Sequence, residues 1–365
     1  MSAFAVVAGG GTAGHVLPAL AVAEALVARG HDPSMIHYTG ARRGIESRLL
    51  PDTPFPHTLF DVVGFQRRFD RRNLAFLPKL LRARRQAIGL FRDIGPKVVV
   101  SVGGYASMPA VLAARRLRIP VVVVSFDRTP GRASALAARR AAACAVAFPD
   151  SPLPRATLTG APVRQAVLDV DRDHDRHAAR AALGLPPERF VVVVMGGSQG
   201  SGVLNEAVAL LLERCAADTG LAIRHAVGER FLAQAPPGRS GDEGVLYQPV
   251  GYEPDMPLVY AAADLLVGRG GASTVHEVAV TGIPAVLVPW AGAAEDHQTD
   301  NVRWLADGGA AVLLAESDVA SLPDVVTRLR SDSAERDRLS ANARRMGEVN
   351  RRGTLAQLVE SVALA

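Results

Sequence analysis

Three short runs of this chain place glycines beside hydroxyl or ionisable side chains, each where a β-branched stretch gives way to an amphipathic one. The first is Gly9-Gly10-Gly11-Thr12-Ala13-Gly14-His15, the second Gly196-Gly197-Ser198-Gln199-Gly200, and the third Arg269-Gly270-Gly271-Ala272-Ser273-Thr274-Val275-His276-Glu277. Glycine in a strand-to-helix turn lets backbone N–H groups approach a ligand, and the helix N-terminus that follows favours negative charge. Such turns hold phosphates without a cation, and the Ser198 hydroxyl adds a further donor. Glu277, one to two turns into its helix, has the two oxygens needed to accept hydrogen bonds from a ribose diol. Three turns of this kind at corresponding strand ends predict a nucleoside-diphosphate site. The first run also spells GxGxxG through Gly9, Gly11 and Gly14, but a dinucleotide site needs a carboxylate ~20 residues on. The second strand ends Tyr38-Thr39-Gly40 instead, which argues against NAD. A fourth polar run, Glu295-Asp296-His297-Gln298-Thr299-Asp300-Asn301, follows an apolar strand and is suited to reading sugar hydroxyls. No Walker A, HExxH or CxxC pattern occurs.

Those turns need strands before them and helices after them, and the chain supplies both. Short β-branched runs alternate with amphipathic segments throughout, the βαβ signature of parallel sheets. Strands are expected at Phe4–Ala8, Met35–Tyr38, Val98–Val102, Val121–Val124 and Cys144–Ala147, then at Phe190–Met195, Ile223–Ala226, Leu246–Gln248, Leu265–Val267, Ala285–Val288 and Ala311–Leu314. Helices are expected at Leu17–Ala28 and from about Val203. Gly160 to Arg164 and the charged stretch up to Pro187 read as hinge and linker. The expected fold is α/β, two doubly wound parallel-sheet domains facing across a cleft, with ligands at the carboxyl ends of the strands. The DxD triplets between Asp169 and Asp175 fall in the charged stretch and read as solvated rather than metal-binding.

With 365 residues, 48% hydrophobic and 21% charged, the chain is long enough for two globular domains and too apolar to be disordered. Two cysteines, Cys144 and Cys215, exclude a disulfide scaffold. No apolar run approaches the ~20 residues of a membrane span, and no signal peptide is evident, so a cytoplasmic location is expected. Charge is uneven: residues 1–163 hold 22 Lys and Arg against 9 Asp and Glu, and 164–365 hold 19 against 27. Between Gly64 and Lys97 there are ten basic residues and two acidic ones. Arg67, Arg68, Arg71 and Arg72 precede a helical stretch carrying Phe76, Leu77, Lys79, Leu80 and Leu81, continued by Arg82, Arg84 and Arg85. Charge alone fits a solvated helix as well as an anionic membrane surface. No nucleic-acid module accompanies the arginines.

Taken in order, GGGTAGHVLPALAVAEAL (9–26), TGARRGIESRLLP (39–51), VGGYASMPAVLAA (102–114), GAPVR (160–164), GGSQGSGVLNEAV (196–208), GRGGASTVHEVAVTGIPAVLVPW (268–290) and EDHQTDN (295–301) resemble the MurG family of GT-B glycosyltransferases over nearly the whole chain. That family moves N-acetylglucosamine from UDP-N-acetylglucosamine to the 4-hydroxyl of undecaprenyl-pyrophosphoryl-MurNAc-pentapeptide (lipid I), giving lipid II. The resemblance implies a domain 1–163 facing acceptor and membrane, a UDP-sugar domain 164–341, and a C-terminal stretch 342–365 packing back on the first. It implies that Thr12, Ala13 and Gly14 line the donor sugar, and that Arg164 and Ser198 meet the diphosphate or uridine. Ala272, Ser273, Thr274, Val275, His276 and Glu277 would serve phosphates and ribose, Gln298 the sugar hydroxyls, and Glu253 the uracil through its main chain. No cofactor or metal is implied. The partners are the nucleotide sugar, the lipid acceptor and the anionic inner leaflet, where the Phe76–Arg85 stretch would dock a peripheral enzyme. One departure stands out: the family's HEQN is Val124-Ser125-Phe126-Asp127 here, so a carboxylate replaces the donor-contacting asparagine and cannot donate its hydrogen bonds. The reaction expected is direct inverting transfer, with His15 as first candidate base, near neutrality in its pKa, and Asp127 as second. The alternatives are transfer to another lipid or secondary-metabolite acceptor, a UDP-N-acetylglucosamine 2-epimerase, and a non-catalytic nucleotide-sugar binder.

Overall fold

Runs such as Val98-Val99-Val100 and Val121-Val122-Val123-Val124 are apolar on both faces because helices cover both sides of the sheets they build. The computed structural model describes residues 2–64, 76–292 and 297–365, which form two units: Met1–Gln165 with Val349–Ala365, and Ala166–Glu348.

The first unit runs β1 (Ala5–Ala8), α1 (Ala13–Ala28), β2 (Ile36–Ala41), α2 (Glu46–Leu49), β3 (His57–Phe60), α3 (Phe76–Ile94), β4 (Val98–Ser101), α4 (Met108–Leu117), β5 (Val121–Ser125), α5 (Arg132–Ala138), β6 (Ala143–Val146) and β7 (Ala156–Leu158). The second runs from α6 (Gln165–Leu168) through α7 (Arg172–Ala182), β8 (Phe190–Met195), α8 (Gly202–Arg214), β9 (Leu221–Ala226), β10 (Leu246–Val250), α9 (Met256–Ala262), β11 (Leu265–Arg269), α10 (Ala272–Thr281), β12 (Ala285–Val288), α11 (His297–Asp307), β13 (Val312–Leu313) and α12 (Leu322–Ser331) into α13 (Ser333–Arg351). A last helix, α14 (Thr354–Leu364), belongs to the first unit.

Both sheets are parallel. The seven-stranded sheet has the order β3-β2-β1-β4-β5-β6-β7 and the six-stranded sheet β10-β9-β8-β11-β12-β13. Strand order therefore reverses between β1 and β4 in one and between β8 and β11 in the other, and ligands of doubly wound sheets bind beyond the carboxyl ends at such points. Every glycine turn singled out above leaves one of those central strands.

Two elements depart from the sequence reading at sheet edges: β3 and β7 were not expected, and β7 is exposed at all three positions. Helix α1 starts a turn earlier than Leu17, with the N–H groups of His15 and Val16 both donating to the Thr12 carbonyl at 3.0 and 3.1 Å. A larger correction concerns residues 165–187. They are not a linker but carry α7, whose charges serve the core. Arg180 is 1% exposed and donates to the carbonyls of Ala262, Pro187 and Arg189 and to Asp264 Oδ2 at 2.6 Å. Arg172 donates to the carbonyls of Tyr260, Ala263 and Gly282. These guanidinium groups satisfy carbonyls that α9 and α10 leave unpaired at their ends. The DxD aspartates Asp169, Asp171 and Asp173 are exposed, and Asp171 caps α7.

The chain returns to the first unit at Asn350, whose Oδ1 accepts the Ala161 N–H at 2.7 Å, and Thr354 donates to the Thr159 carbonyl at 3.1 Å. Leu355, Ala356 and Val359 of α14 are buried, and Glu360 receives Arg29 at 2.9 Å.

Candidate active site

In the first unit the turn after β1 is shaped from beneath. Gly10 and Gly11 have φ of +144° and +94°; a Cβ on Gly10 would overlap Glu46 Oε1, and one on Gly11 would lie 2.6 Å from Tyr105 Cε1. The fully buried Glu46 accepts the N–H groups of Gly11 at 2.7 Å and Ala41 at 3.1 Å through Oε1. Tyr38 donates to the Gly9 carbonyl at 2.9 Å. The turn after β4 presses against the same place, since a Cβ on Gly104 would come within 3.4 Å of His15 Cγ. None of Glu46, Tyr38 and Tyr105 was singled out from the sequence; the only signal was the position of Glu46 in the run that follows β2.

His15 sits in the first turn of α1. Its Nδ1 lies 3.1 Å from Thr12 Oγ1, so with Nδ1–H donating to that hydroxyl, Nε2 keeps its lone pair. Phe126 meets the imidazole edge-on at 6.3 Å. Burial pulls the His15 pKa below its usual value, a correction to the neutrality expected of it, while the charges of Asp127 and Glu46 oppose that shift. His15, Ser125, Asp127, Arg132 and Ser134 line one pocket of about 170 Å³. The structure thus brings both candidate bases together at the switch point of this sheet. Thr12 and Gly14 are exposed beside them, and Arg164, in the same unit, has its Nε buried without a partner among the described residues.

In the second unit Ser198 is exposed in the turn after β8. Gly200, at φ +69°, packs so tightly on the Val227 carbonyl that a side chain is excluded. Ser201 caps α8, its Oγ accepting the Leu204 N–H at 3.3 Å, which leaves the first N–H groups of that helix outward. Across the switch point α10 opens after Gly271. Ser273, Thr274 and Glu277 are part-exposed, whereas Val275 and His276 are 0% and 1% exposed, His276 packing on Trp304 at 5.3 Å. From those two positions only main-chain atoms can meet a ligand. Glu277 Oε2 accepts the Tyr260 hydroxyl at 2.6 Å, which orients the carboxylate. Glu253 is 8% exposed and its Oε2 receives Arg224 Nε at 2.6 Å, so its side chain is neutralised and its backbone remains for recognition. Gln298 Oε1 accepts the Trp290 N–H at 3.0 Å. Glu295 and Asp296 lie outside the described residues, as do Arg67, Arg68, Arg71 and Arg72.

Helix α3 exposes Leu77 (59%) and Leu81 (42%), one turn apart, with Arg82 and Arg85 also exposed. Phe76 and Leu80 are part-buried, Lys79 pairs with Asp61 at 2.9 Å, and the Nε of Arg84 is buried. No described helix is long and apolar enough to cross a membrane.

Two Rossmann-like parallel sheets with glycine turns at both switch points define a GT-B glycosyltransferase. Residues 5–146 match the glycosyltransferase family 28 N-terminal domain and residues 191–354 its C-terminal domain. The chain belongs to glycosyltransferase family 28 and, within it, to the MurG family. It is 41% identical over 360 residues, covering 96% of this chain and 94% of the relative, to the UDP-N-acetylglucosamine–N-acetylmuramyl-(pentapeptide) pyrophosphoryl-undecaprenol N-acetylglucosamine transferase of Clavibacter sepedonicus. Identity to the same-named protein of Mycobacterium tuberculosis is 38%, covering 98% and 88%. The crystal structure of Acinetobacter baumannii MurG superposes with a TM-score of 0.70 at 28% identity, covering all of both chains. A Streptomyces sp. SF2575 glycosyltransferase, complexed with thymidine diphosphate, shares the fold at a TM-score of 0.63 and 19% identity.

Proposed function

We propose that this hexosyltransferase moves N-acetylglucosamine from UDP-N-acetylglucosamine to the 4-hydroxyl of the MurNAc residue of lipid I, making lipid II for peptidoglycan. The observation that carries the reading is the Clavibacter match over 96% of this chain, together with the family 28 domains that span the glycine turns of both sheets. In the transfer, the acceptor oxygen forms a bond to the anomeric carbon as the bond from that carbon to the UDP oxygen breaks. The configuration inverts, the acceptor proton passes to a base, and the electron pair leaves with UDP. The N–H groups opening α8 and α10 face the negative charge that develops on the departing diphosphate, with Ser198 beside it. Main-chain groups at Glu253 read the uracil, Glu277 the ribose, and Gln298 the sugar.

His15 takes the proton. Its lowered pKa leaves the imidazole neutral at physiological pH, and in the tautomer whose Nδ1–H donates to Thr12 Oγ1 the Nε2 lone pair is the acceptor. Asp127 holds the alternative role. The enzyme works as a peripheral protein on the cytoplasmic face of the membrane, where Leu77, Leu81, Arg82 and Arg85 meet anionic lipid. Formation of lipid II from UDP-N-acetylglucosamine and a lipid I analogue, with no sugar product when the acceptor is omitted, tests the reading; isomerised donor without acceptor would replace it with a 2-epimerase. The Ser125-Phe126-Asp127 run favours one second reading, transfer to a different lipid, and the same assay with a panel of prenyl-diphosphate sugars separates the two.

A further inference from the structure

Glu316, which opens the 3-10 helix Glu316–Ser321 after β13, was not among the residues picked from the sequence, yet it sits where two ligand-facing turns join. Its Oε1 receives Arg269 Nη2 at 2.6 Å and its Oε2 receives the Ala291 N–H at 3.0 Å. The same Arg269 nitrogen donates to Ser201 Oγ, the cap of α8, at 2.7 Å, and Nη1 reaches the Val288 and Pro289 carbonyls at 3.3 and 3.4 Å. Both side chains are largely enclosed, 11% exposed for Arg269 and 18% for Glu316. The adjacent N–H of Trp290 is held by Gln298. Two successive amides of the turn after β12 are thus fixed by two side chains, one of which also leads through Arg269 to the turn after β8.

We propose that Glu316 is a positioning residue that sets donor-sugar selectivity, by locking the 289–291 turn, and with it Gln298, against the diphosphate-facing turn through Arg269. The inference deepens the UDP-N-acetylglucosamine reading and rests on it. A charged acceptor for Arg269 and for a main-chain N–H makes each bond stronger than a neutral one. Without it, the Ala291 amide is released and Gln298, tied to the neighbouring amide, loses its fixed direction. The turn after β8 keeps the packing of Gly200 and the Ser201 cap of α8, and the turn after β11 keeps the packing of Gly270 against Val302. Glu316 therefore acts on the sugar and not on UDP.

The test measures UDP and UDP-N-acetylglucosamine affinity by calorimetry, and kcat and KM for transfer, in the wild-type chain and in Glu316→Ala, Glu316→Gln and Glu316→Asp. Expected is UDP affinity within about twofold of wild type. KM for UDP-N-acetylglucosamine should rise about tenfold in Glu316→Ala, as loss of about one charge-assisted hydrogen bond implies. Preference over the 4-epimeric UDP-N-acetylgalactosamine should fall in parallel. Glu316→Gln keeps the shape but must turn its NH2 toward either the Ala291 N–H or Arg269, losing one of the two bonds, so it falls between, and Glu316→Asp recovers part of the loss. Equal weakening of UDP and UDP-N-acetylglucosamine would show a general structural role and overturn the proposal, as would unchanged selectivity in all three variants. If the wild-type chain binds neither nucleotide, the function itself fails and the positioning role falls with it; if it binds both, only the role of Glu316 is at stake.

Discussion

At the scale of single residues, His15 carries the chemistry and its surroundings set when it can act. An imidazole accepts a proton only when neutral, and burial lowers its pKa, so the neutral form prevails at and above the ordinary histidine value. The acid limb of kcat/KM should accordingly lie below pH 6.5, with a flat profile through neutrality. Asp127 raises the His15 pKa by its charge; Asp127→Asn removes that support, and the acid limb should move to still lower pH. A limb that stays in place, or moves up, removes Asp127 from the titration of His15. His15→Ala should reduce kcat by about 10²–10⁴ while UDP affinity, read by calorimetry, stays the same; a parallel loss of both would reassign His15 to binding. A different residue-scale expectation concerns stability. Asp264 faces the fully buried Arg180, also pairs with Arg176, and accepts the Val191 N–H at 2.7 Å. Asp264→Ala strands a buried guanidinium, and unfolding in denaturant should show a loss of about 3–5 kcal/mol.

At the scale of elements, helix α3 makes the membrane reading testable. Replacing Leu77 and Leu81 by Glu puts two anions on the exposed stripe beside Arg82 and Arg85, so co-sedimentation with anionic vesicles should drop steeply while transfer to a water-soluble acceptor analogue is kept. Retained sedimentation at high salt would locate the lipid contact elsewhere. Elements also show what the sequence could and could not reveal. Central strands were legible because β1, β4, β5, β8, β11 and β12 are largely apolar runs, buried on both faces over most of their length. The edge strands of the first sheet were not: β3 opens with His57-Thr58, and Ala156-Thr157-Leu158 has no buried face to mark it. Helix α7 was misread because charge density is ordinarily a sign of solvent, whereas Arg172 and Arg180 spend theirs on backbone carbonyls of distant segments, which no local pattern encodes. The glycine turns announced themselves by spacing. Glu46 and Glu316, which brace two of them, did not, because the burial of a carboxylate depends on which loops fold around it.

At the scale of the whole molecule, the first unit is built from two separated pieces of chain. Deleting residues 349–365 removes the Asn350 bond to Ala161 and uncovers the faces that Leu355, Ala356 and Val359 bury. Calorimetric scanning of that truncated chain should show the first unit melting earlier while the transition of the second is unchanged; a uniform shift of both would mean the two unfold as one. This interleaving has a consequence for biogenesis. Residues 349–365 leave the ribosome only after all of 166–348 has been made, so the nascent chain can finish its later-encoded lobe before its first one. Residues 1–165 must wait, partly assembled, for a helix translated after the second unit to dock and seal them.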